Sequence, residues 1–473
     1  MTSPTHLLSH PLDPAICQEA RLARDPRFDG EFFLAVTSTG IYCRPICPAR
    51  APAERNVRYY QLAAQAAGDG FRPCLRCRPE TAPGSPAWLG SNTTVQRGLQ
   101  LIREGALNGE GSLATLAGRL GVGERYLRKL FQRELGLSPL AVAQNQRLHM
   151  AKQLLAETSL PITEIALASG YSSVRRFNSA IQSGFATTPG KLRRHPGKAR
   201  DTVTLELHYR PPYDWNGVID LLSRHAVAGV EIVTADSYRR NIIVNGQLGQ
   251  LTVTQTPDKN SLRLSVELAS FAELMPLVAR VRRMFDLDAN PAVIAESLSH
   301  SAELGKLLEH RPGIRMPGFW SAEEAAVRAI VGQQVSTAAA RSICSRFAAA
   351  CASNNEPLTF PRAEQIAALP DDQFPMPASR RDTLRRLGEL QHNGSDNIDL
   401  EALGALRGIG PWTTHVVAMR GLGQPDCFPA SDLGLLNGWA QLGQEKPMLK
   451  RESDRWRPWR SYAANLLWRS LTA

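Results

Sequence analysis

The sequence predicts a multidomain α+β chain: a small α/β domain at 1–85, an all-α domain at 86–200, a small α/β lobe at 201–280 and a mostly α-helical domain at 281–473. Three observations predict it. At 473 residues the chain exceeds what one hydrophobic core supports. Its hydrophobic period changes along the length: "TVTLELHYRPPY" (202–213), "NIIVNGQLGQLTVTQ" and "SLRLSVEL" alternate as strands do, whereas the spacing is helical from about 275 onward. Its charge is also uneven. The net charge is +11, yet residues 86–200 alone carry 16 Lys and Arg against 6 Asp and Glu. A basic block of this density suits a phosphate backbone; the plainer alternative is a solvated face.

The boundaries follow from composition. "ETAPGSPAW" (80–88) and "RRHPGKARD" (193–201) are broken by Pro and Gly and read as linkers. No long uncharged apolar run predicts a membrane span. The opening "MTSPTHLLSHPLDPAIC" lacks a basic n-region followed by an apolar h-region, so no secretory signal is expected. A cytoplasmic location is expected, where thiols stay reduced and clustered cysteines suggest metal or catalysis rather than disulfides.

In the first domain "GIYCRPICPAR" (40–50) and "RPCLRCRP" (72–79) place Cys43, Cys47, Cys74 and Cys77 in a C-x3-C and a C-x2-C pair among arginines. Two tight turns each offer two sulfurs, and zinc takes four at tetrahedral corners. A plain structural zinc clip is the first reading; a thiolate facing a polyanion and reacting with it is the second. Spacing does not choose one sulfur among the four. Cys17, Cys344, Cys351 and Cys427 have no such partners, and Cys344 and Cys351 read as core.

The stretch "DPRFDGEFFLAVTSTGIYCRPICPAR" with "NVRYYQLAAQAAGDGFRPCLRCRPE" resembles the zinc-bearing N-terminal domain of the Ada-type adaptive-response proteins. The resemblance implies one Zn²⁺, structural and catalytic, held by Cys43, Cys47, Cys74 and Cys77. It implies that Cys43 is also the nucleophile that takes a methyl group from a methylphosphotriester in DNA. Arg44, Arg50, Arg72, Arg76 and Arg78 are expected to dock flanking phosphates.

In the basic middle, "SLATLAGRLGVGERYLRKLFQRELG" (112–136) and "PITEIALASGYSSVRRFNSAIQSGFATTPGKLRR" (161–194) repeat one plan of helix, Gly-containing turn and basic helix. A helical bundle with basic surfaces is the plainer alternative. The stretch resembles the AraC-type DNA-binding domain, with Phe185 and Pro189 in that family's pattern. Arg125 and Arg128 in the first unit, and Ser173, Arg175 and Arg176 in the second, are the candidate DNA contacts.

Near the C-terminus "LGALRGIGPWTTHVVAMRGLG" (403–423) joins two helical stretches through Gly408-Ile409-Gly410, a turn that leaves backbone N–H groups free for a phosphate. About twenty residues on, Asp432 stands at a helix start, where an isolated Asp is most simply an N-cap. With "MPGFWSAEEAAVRAIVGQQVSTAAA" (316–340) and "RWRPWRSYAANLLWRSL" (455–471), this region resembles the helix–hairpin–helix DNA glycosylases of the AlkA-like 3-methyladenine type. The resemblance spans about 200–473 and implies four roles. Asp432 is the catalytic carboxylate; Trp412 and Trp468 line the pocket for a flipped base; Gln334 is the wedge; Gly408 and Gly410 bind the DNA backbone. The polar wedge and Val416, one helical turn after Trp412, depart from the family's usual apolar wedge and completed aromatic pocket. Trp412 fills the slot of the lysine that bifunctional relatives use for Schiff-base chemistry, so no strand cleavage is expected. Nothing resembles the "PCHR" motif of O6-methylguanine acceptors, so direct guanine repair is not expected.

Together these readings predict a DNA alkylation-damage response protein that binds methylated and promoter double-stranded DNA, works with RNA polymerase and involves no membrane. Two rivals stand beside it. One is a transcription factor with structural zinc and an inert glycosylase-like half. The other is a glycosylase that uses its front half only to dock on DNA.

Overall fold

In the computed structural model, residues 12–77, 79, 93–109, 111–193, 202–256, 258–352, 357–390 and 398–471 are described; most of the two expected linkers, and Arg78, lie outside them. The chain divides into two compact units. The first is Met1–Arg210 with Thr256–Ala279 and Leu287–Ala289; the second is Pro211–Gln255 with Arg280–Asp286 and Asn290–Ala473. No described helix is long and apolar enough to cross a membrane.

The first unit opens with helix α1 (Pro14–Ala23), whose start is capped by the Asp13 carboxylate accepting from the Ala15 amide. Strands β1 (Phe33–Val36), β2 (Ile41–Cys43), β3 (Val57–Tyr60) and β4 (Arg72–Pro73) form a sheet in the order β3-β1-β2-β4. β1 runs antiparallel to β2 and β3, and β4 runs parallel to β2. All four residues of β1 are buried because both faces of the sheet are covered. Leu34 and Val36 pack with Cys17, Ala20 and the cysteine cluster, while Phe33 and Ala35 pack with Tyr42 and with Ala66 on α2 (Ala63–Gly68).

Seven helices follow: α3 (Thr93–Arg103), α4 (Leu113–Arg119), α5 (Glu124–Leu135), α6 (Pro139–Glu157), α7 (Ile162–Ala168), α8 (Val174–Phe185) and α9 (Pro189–Leu192). Ser112, Ser138 and Ser173 each accept a backbone N–H at the starts of α4, α6 and α8. The α4 and α5 helices meet at Gly121, whose φ of +68° needs a residue without a Cβ penalty. Thus α4–α5 and α7–α8 are the two expected helix–turn–helix pairs, with the 19-residue α6 between them.

Strand β5 (Thr202–His208) also belongs to the first unit. In the second, α10 (Trp215–His225) precedes β6 (Glu231–Val233), β7 (Ser237–Val244) and β8 (Gln247–Thr256), an antiparallel meander. The tight turn between β7 and β8 is Asn245-Gly246, both at positive φ (50° and 73°), as a two-residue hairpin of this hand requires. β9 (Ser261–Glu267) pairs antiparallel with β5 in the first unit. After α11 (Leu274–Met284) the chain is helical: α12 (Pro291–Leu298), α13 (Ala302–His310), α14 (Ala322–Val331), α15 (Thr337–Ala350), α16 (Ala363–Ala367), α17 (Ala378–Glu389), α18 (Leu400–Gly404), α19 (Pro411–Arg420), α20 (Leu433–Gln441), α21 (Leu449–Ser453) and α22 (Arg460–Ser470).

A fully buried set of four charges fixes α14. Glu324 pairs with Arg240 at 2.5 Å and with Arg328 at 2.7 Å, and Glu231 pairs with Arg328 at 2.7 Å. The Tyr238 hydroxyl donates to Glu231 at 2.7 Å. Removing one member leaves its partner charged and buried, at a cost of about 3–5 kcal/mol. The turn that leaves α14 carries Gln333 and Gln334.

Candidate functional site

The parallel pairing of β2 with β4 sets Ile41 beside Arg72 and Tyr42 beside Pro73, so the chain delivers Cys43 and Cys74 side by side; the Cys74 amide donates to the Tyr42 carbonyl at 2.9 Å. Cys47 and Cys77 follow in the turns beyond. All four sulfurs lie within 4.8 Å of one another. Cys43, Cys74 and Cys77 are buried and Cys47 is half-buried. The Arg44 amide donates to the Cys77 sulfur at 3.3 Å and the Arg76 amide to the Cys74 sulfur at 3.4 Å, which suits thiolates.

Four soft donors at this separation, with no other ligand type among them, fit a tetrahedral Zn²⁺. Hydrogen bonds from Cys47, then Cys74 and Cys77, push the Cys43 thiol up, while those from Cys43, Cys47 and Cys77 push Cys74 down. Cys17, in the same apolar cluster, is pushed up to about 11 by burial and by the charges of Asp13 and Glu54, and stays a thiol.

One expectation about the arginines is corrected. Arg44 is buried, pairs with Asp29 and donates to the Cys77 carbonyl at 3.2 Å, so it holds the cysteine loop and is not exposed for a phosphate. An alternation of charge along the sequence could not show this, because Asp29 lies fifteen residues away. Arg50, Arg72 and Arg76 are exposed.

On α5, Leu127, Leu130, Phe131 and Leu135 face the core, and Arg125 and Arg128 are exposed, Arg128 lying 3.2 Å from Glu124. On α8, Phe177, Ile181 and Phe185 are buried and Arg175 and Arg176 are exposed. Ser173 caps α8 by accepting the Arg176 amide at 3.3 Å, and the Arg176 guanidinium donates to the Ser172 hydroxyl at 3.0 Å.

The second unit gathers three distant segments at one carboxylate. Asp432 is the N-cap of α20, and its Oδ1 accepts from the Leu435 amide at 3.0 Å. Trp468 Nε1, on α22, donates to the same oxygen at 2.7 Å, and Trp412 Nε1, on α19, donates to Oδ2 at 2.8 Å. An indole N–H only donates, so a carboxylate is a fitting acceptor for both. The two tryptophans therefore grip Asp432 through their edges, a role that spacings of 20 and 36 residues did not disclose. Gly434 completes the grip: a Cβ there would meet Asp432 Oδ1 and Trp468 Cδ1, both at 2.9 Å. The Arg420 guanidinium lies 5.3 Å from the Trp468 ring centroid. Trp456 and Trp459, by contrast, are core residues, each 2% exposed.

The α18–α19 turn carries Gly408 at φ +95°, where a Cβ would collide with the Thr383 hydroxyl, so glycine is required there. Gly410 is the exposed N-cap of α19, and nothing lies within 4 Å of where its Cβ would be. Gln333 Nε2 donates to the Gly408 carbonyl and to the Thr413 hydroxyl, both at 3.1 Å, tying this turn to the one after α14. Next to it, Gln334 is exposed and held at φ +57°, a left-handed conformation that a non-glycine residue seldom adopts, and Val335 beside it is 37% exposed. Val416 is half-buried and packs with the helical core.

Three family models match: the metal binding domain of Ada over residues 16–80, a helix-turn-helix domain over 116–195 and the AlkA N-terminal domain over 204–321. A probable bifunctional transcriptional activator/DNA repair enzyme AlkA from Mycobacterium tuberculosis is 40% identical, covering 96% of this chain and 96% of its own length. The chain belongs to that family of bifunctional transcriptional activator/DNA repair enzymes. DNA-3-methyladenine glycosylase 2 of Escherichia coli is 30% identical over 55% of this chain and 95% of its own length. The bifunctional transcriptional activator/DNA repair enzyme Ada of the same organism is 36% identical over 37% of this chain and 48% of its own length. The metal-binding family match and the four-cysteine cluster together support a zinc ion in the first unit.

Proposed function

We propose that the chain answers DNA alkylation in two ways: Cys43 accepts a methyl group from a DNA methylphosphotriester and so activates transcription, and Asp432 drives hydrolysis of the N-glycosidic bond of alkylated bases such as 3-methyladenine. The observation that carries the reading is the Asp432 carboxylate, fixed by three N–H donors, two of them from aromatic side chains. An ordinary N-cap needs one donor.

In excision, the damaged nucleotide leaves the stack and enters beside Trp412 and Trp468, with Gln334 filling the gap and the backbone amides at Gly408–Gly410 holding phosphate. An alkylated purine carries positive charge, and an indole face attracts it by about 0.5–2 kcal/mol. That charge already weakens the bond to the sugar. The carboxylate then stabilises the cationic sugar that develops as the base departs, and water completes the hydrolysis. The indole edges are committed to Asp432, so the anion stays where charge develops. With Trp412 in place of a lysine amine no Schiff base forms, and the glycosylase is monofunctional in the sense that it leaves abasic sites unbroken.

In sensing, Cys43, Cys47, Cys74 and Cys77 would hold a Zn²⁺, whose charge when bound would keep their sulfurs as thiolates at neutral pH. The Cys43 sulfur attacks the methyl carbon of the triester. The S–C bond forms as the C–O bond breaks, and the electron pair leaves on the phosphate oxygen as an ordinary diester. The sulfur becomes a neutral thioether, which is not turned over, and the cluster loses one negative charge. Repulsion toward DNA falls, and the exposed Arg50, Arg72 and Arg76 contact phosphate with less opposition. The choice of Cys43 follows the family resemblance, since Cys47 is the more exposed sulfur. Arg125, Arg128, Ser173, Arg175 and Arg176 then hold the promoter, RNA polymerase is the downstream partner, and the protein works in the cytoplasm.

The test uses the full chain on two substrates. With methylated DNA, free 3-methyladenine and unbroken abasic DNA are expected; no base release leaves a transcription factor with an inert half. With methylphosphotriester DNA, intact mass is expected to rise by one methyl group on Cys43; no gain leaves a glycosylase that docks through its front half.

A further inference from the structure

Lys152, in the middle of α6, is 4% exposed, a burial that lysine tolerates only where its ammonium group has partners. Its ammonium group donates to the backbone carbonyl of Cys74 at 3.0 Å and lies 5.6 Å from the centroid of the Phe185 ring. One turn earlier on the same helix, His149 Nε2 and the Tyr42 hydroxyl are 2.8 Å apart, with the two rings stacked at 17°. Tyr42 precedes Cys43, and its carbonyl accepts the Cys74 amide. The long helix of the DNA-binding region thus touches the cysteine cluster at two of its ligands, through one neighbour and one ligand backbone.

We infer that Lys152 is a positioning residue of the four-cysteine metal centre and links that centre to the helix that carries Ser173, Arg175 and Arg176. The inference rests on Zn²⁺ occupying the four-cysteine site. Four thiolates around a divalent cation leave net negative charge in a buried place. That negative charge favours an ammonium group placed beside it. In return the lysine donates to the backbone of one ligand and fixes how its sulfur is presented. Such outer partners typically contribute 10–100-fold to metal affinity. On its other side Lys152 rests on Phe185, the last residue of α8, and the α8 N-terminus bears the candidate DNA contacts. One side chain therefore spans from a metal ligand to the buried end of a DNA-reading helix.

The experiment measures zinc release from the Zn²⁺-loaded full chain to a chromogenic chelator, with far-ultraviolet circular dichroism on the same samples. Lys152→Met keeps the apolar stem and removes the charge and donor. It is expected to release zinc about 10–100-fold faster than wild type at unchanged helical content. Lys152→Arg keeps a cation and a donor and is expected to stay within a few-fold of wild type. Tyr42→Phe, which removes only a hydroxyl from the second contact, is expected to quicken release to a smaller degree. A purely packing role predicts that Lys152→Met holds zinc as wild type does, and that result overturns the inference. Should Lys152→Met lose helical content, Lys152→Gln, neutral and one bond shorter, takes its place: faster release supports the inference, and wild-type release overturns it as well. A wild-type chain that binds no zinc defeats the underlying metal reading, and is seen before any variant is compared.

Discussion

At the four-cysteine cluster the reactive atoms come from two short turns, at 43–47 and 74–77, and each turn brings its own pair of sulfurs. At Asp432 they come from the starts of α19 and α20 and the end of α22, and no two of the three side chains are near in sequence. The chemistry differs in the same way. The cluster gathers several negative charges that call for a cation, and its proposed reaction converts a ligand permanently. Asp432 is a single anion steadied by neutral N–H donors, and the proposed reaction returns it unchanged.

Crossed substitutions break that comparison most sharply. Cys43→Ala is expected to abolish the methyl gain seen by intact mass while leaving the rate of base release within two-fold of wild type. A parallel loss of base release would mean that the two chemistries are not separate. Next in size, Trp468→Phe keeps an aromatic ring and deletes the N–H to Asp432. A hydrogen bond to a charged group contributes about 1.5–3 kcal/mol, so single-turnover base release should fall roughly 10–100-fold, with binding to abasic DNA little changed. Equal loss of rate and of binding would point to lost packing instead.

Methylation of Cys43 sharpens the electrostatic side. The methylated full chain should bind promoter DNA roughly ten- to a hundred-fold more tightly at low salt, and the gain should shrink as salt rises. Equal affinities at low salt would rule out the charge mechanism. A smaller effect is expected from pH in the second unit, where burial and then the charges of Arg328 and Arg420 hold His225 down to about 3. A neutral buried imidazole resists protonation that the unfolded chain accepts below about 6.5, so the stability present above that pH is lost as pH falls toward 3. Thermal unfolding should show this decline, and His225→Gln should flatten it by about a few kcal/mol at most.

The contrast between the sites also explains what could be read in advance. The cysteine spacing and the doubled helix–turn–helix are local patterns, and the structure places both as ordinary turn and helix chemistry dictates. Asp432 was legible only through family resemblance, because an N-cap aspartate looks the same with or without a pocket. The edge-on grip by Trp412 and Trp468, the need for glycine at 434, and the tie from Gln333 to the Gly408 turn are long-range contacts with no periodic trace. Arg44 misled for the same reason. Its charge was visible, but the Asp29 that neutralises it was brought close only by the fold.

The central claim, that Asp432 is the carboxylate on which base release depends, is tested most directly by single-turnover release of 3-methyladenine from methylated DNA by the full chain carrying Asp432→Asn. The amide keeps the shape and still accepts through one oxygen, but it cannot stabilise a cationic sugar. Release should fall by about 10³-fold or more at saturating protein, while affinity for the same DNA stays within a few-fold of wild type. Release by Asp432→Asn at the wild-type rate would contradict the account and return Asp432 to the role of a helix cap.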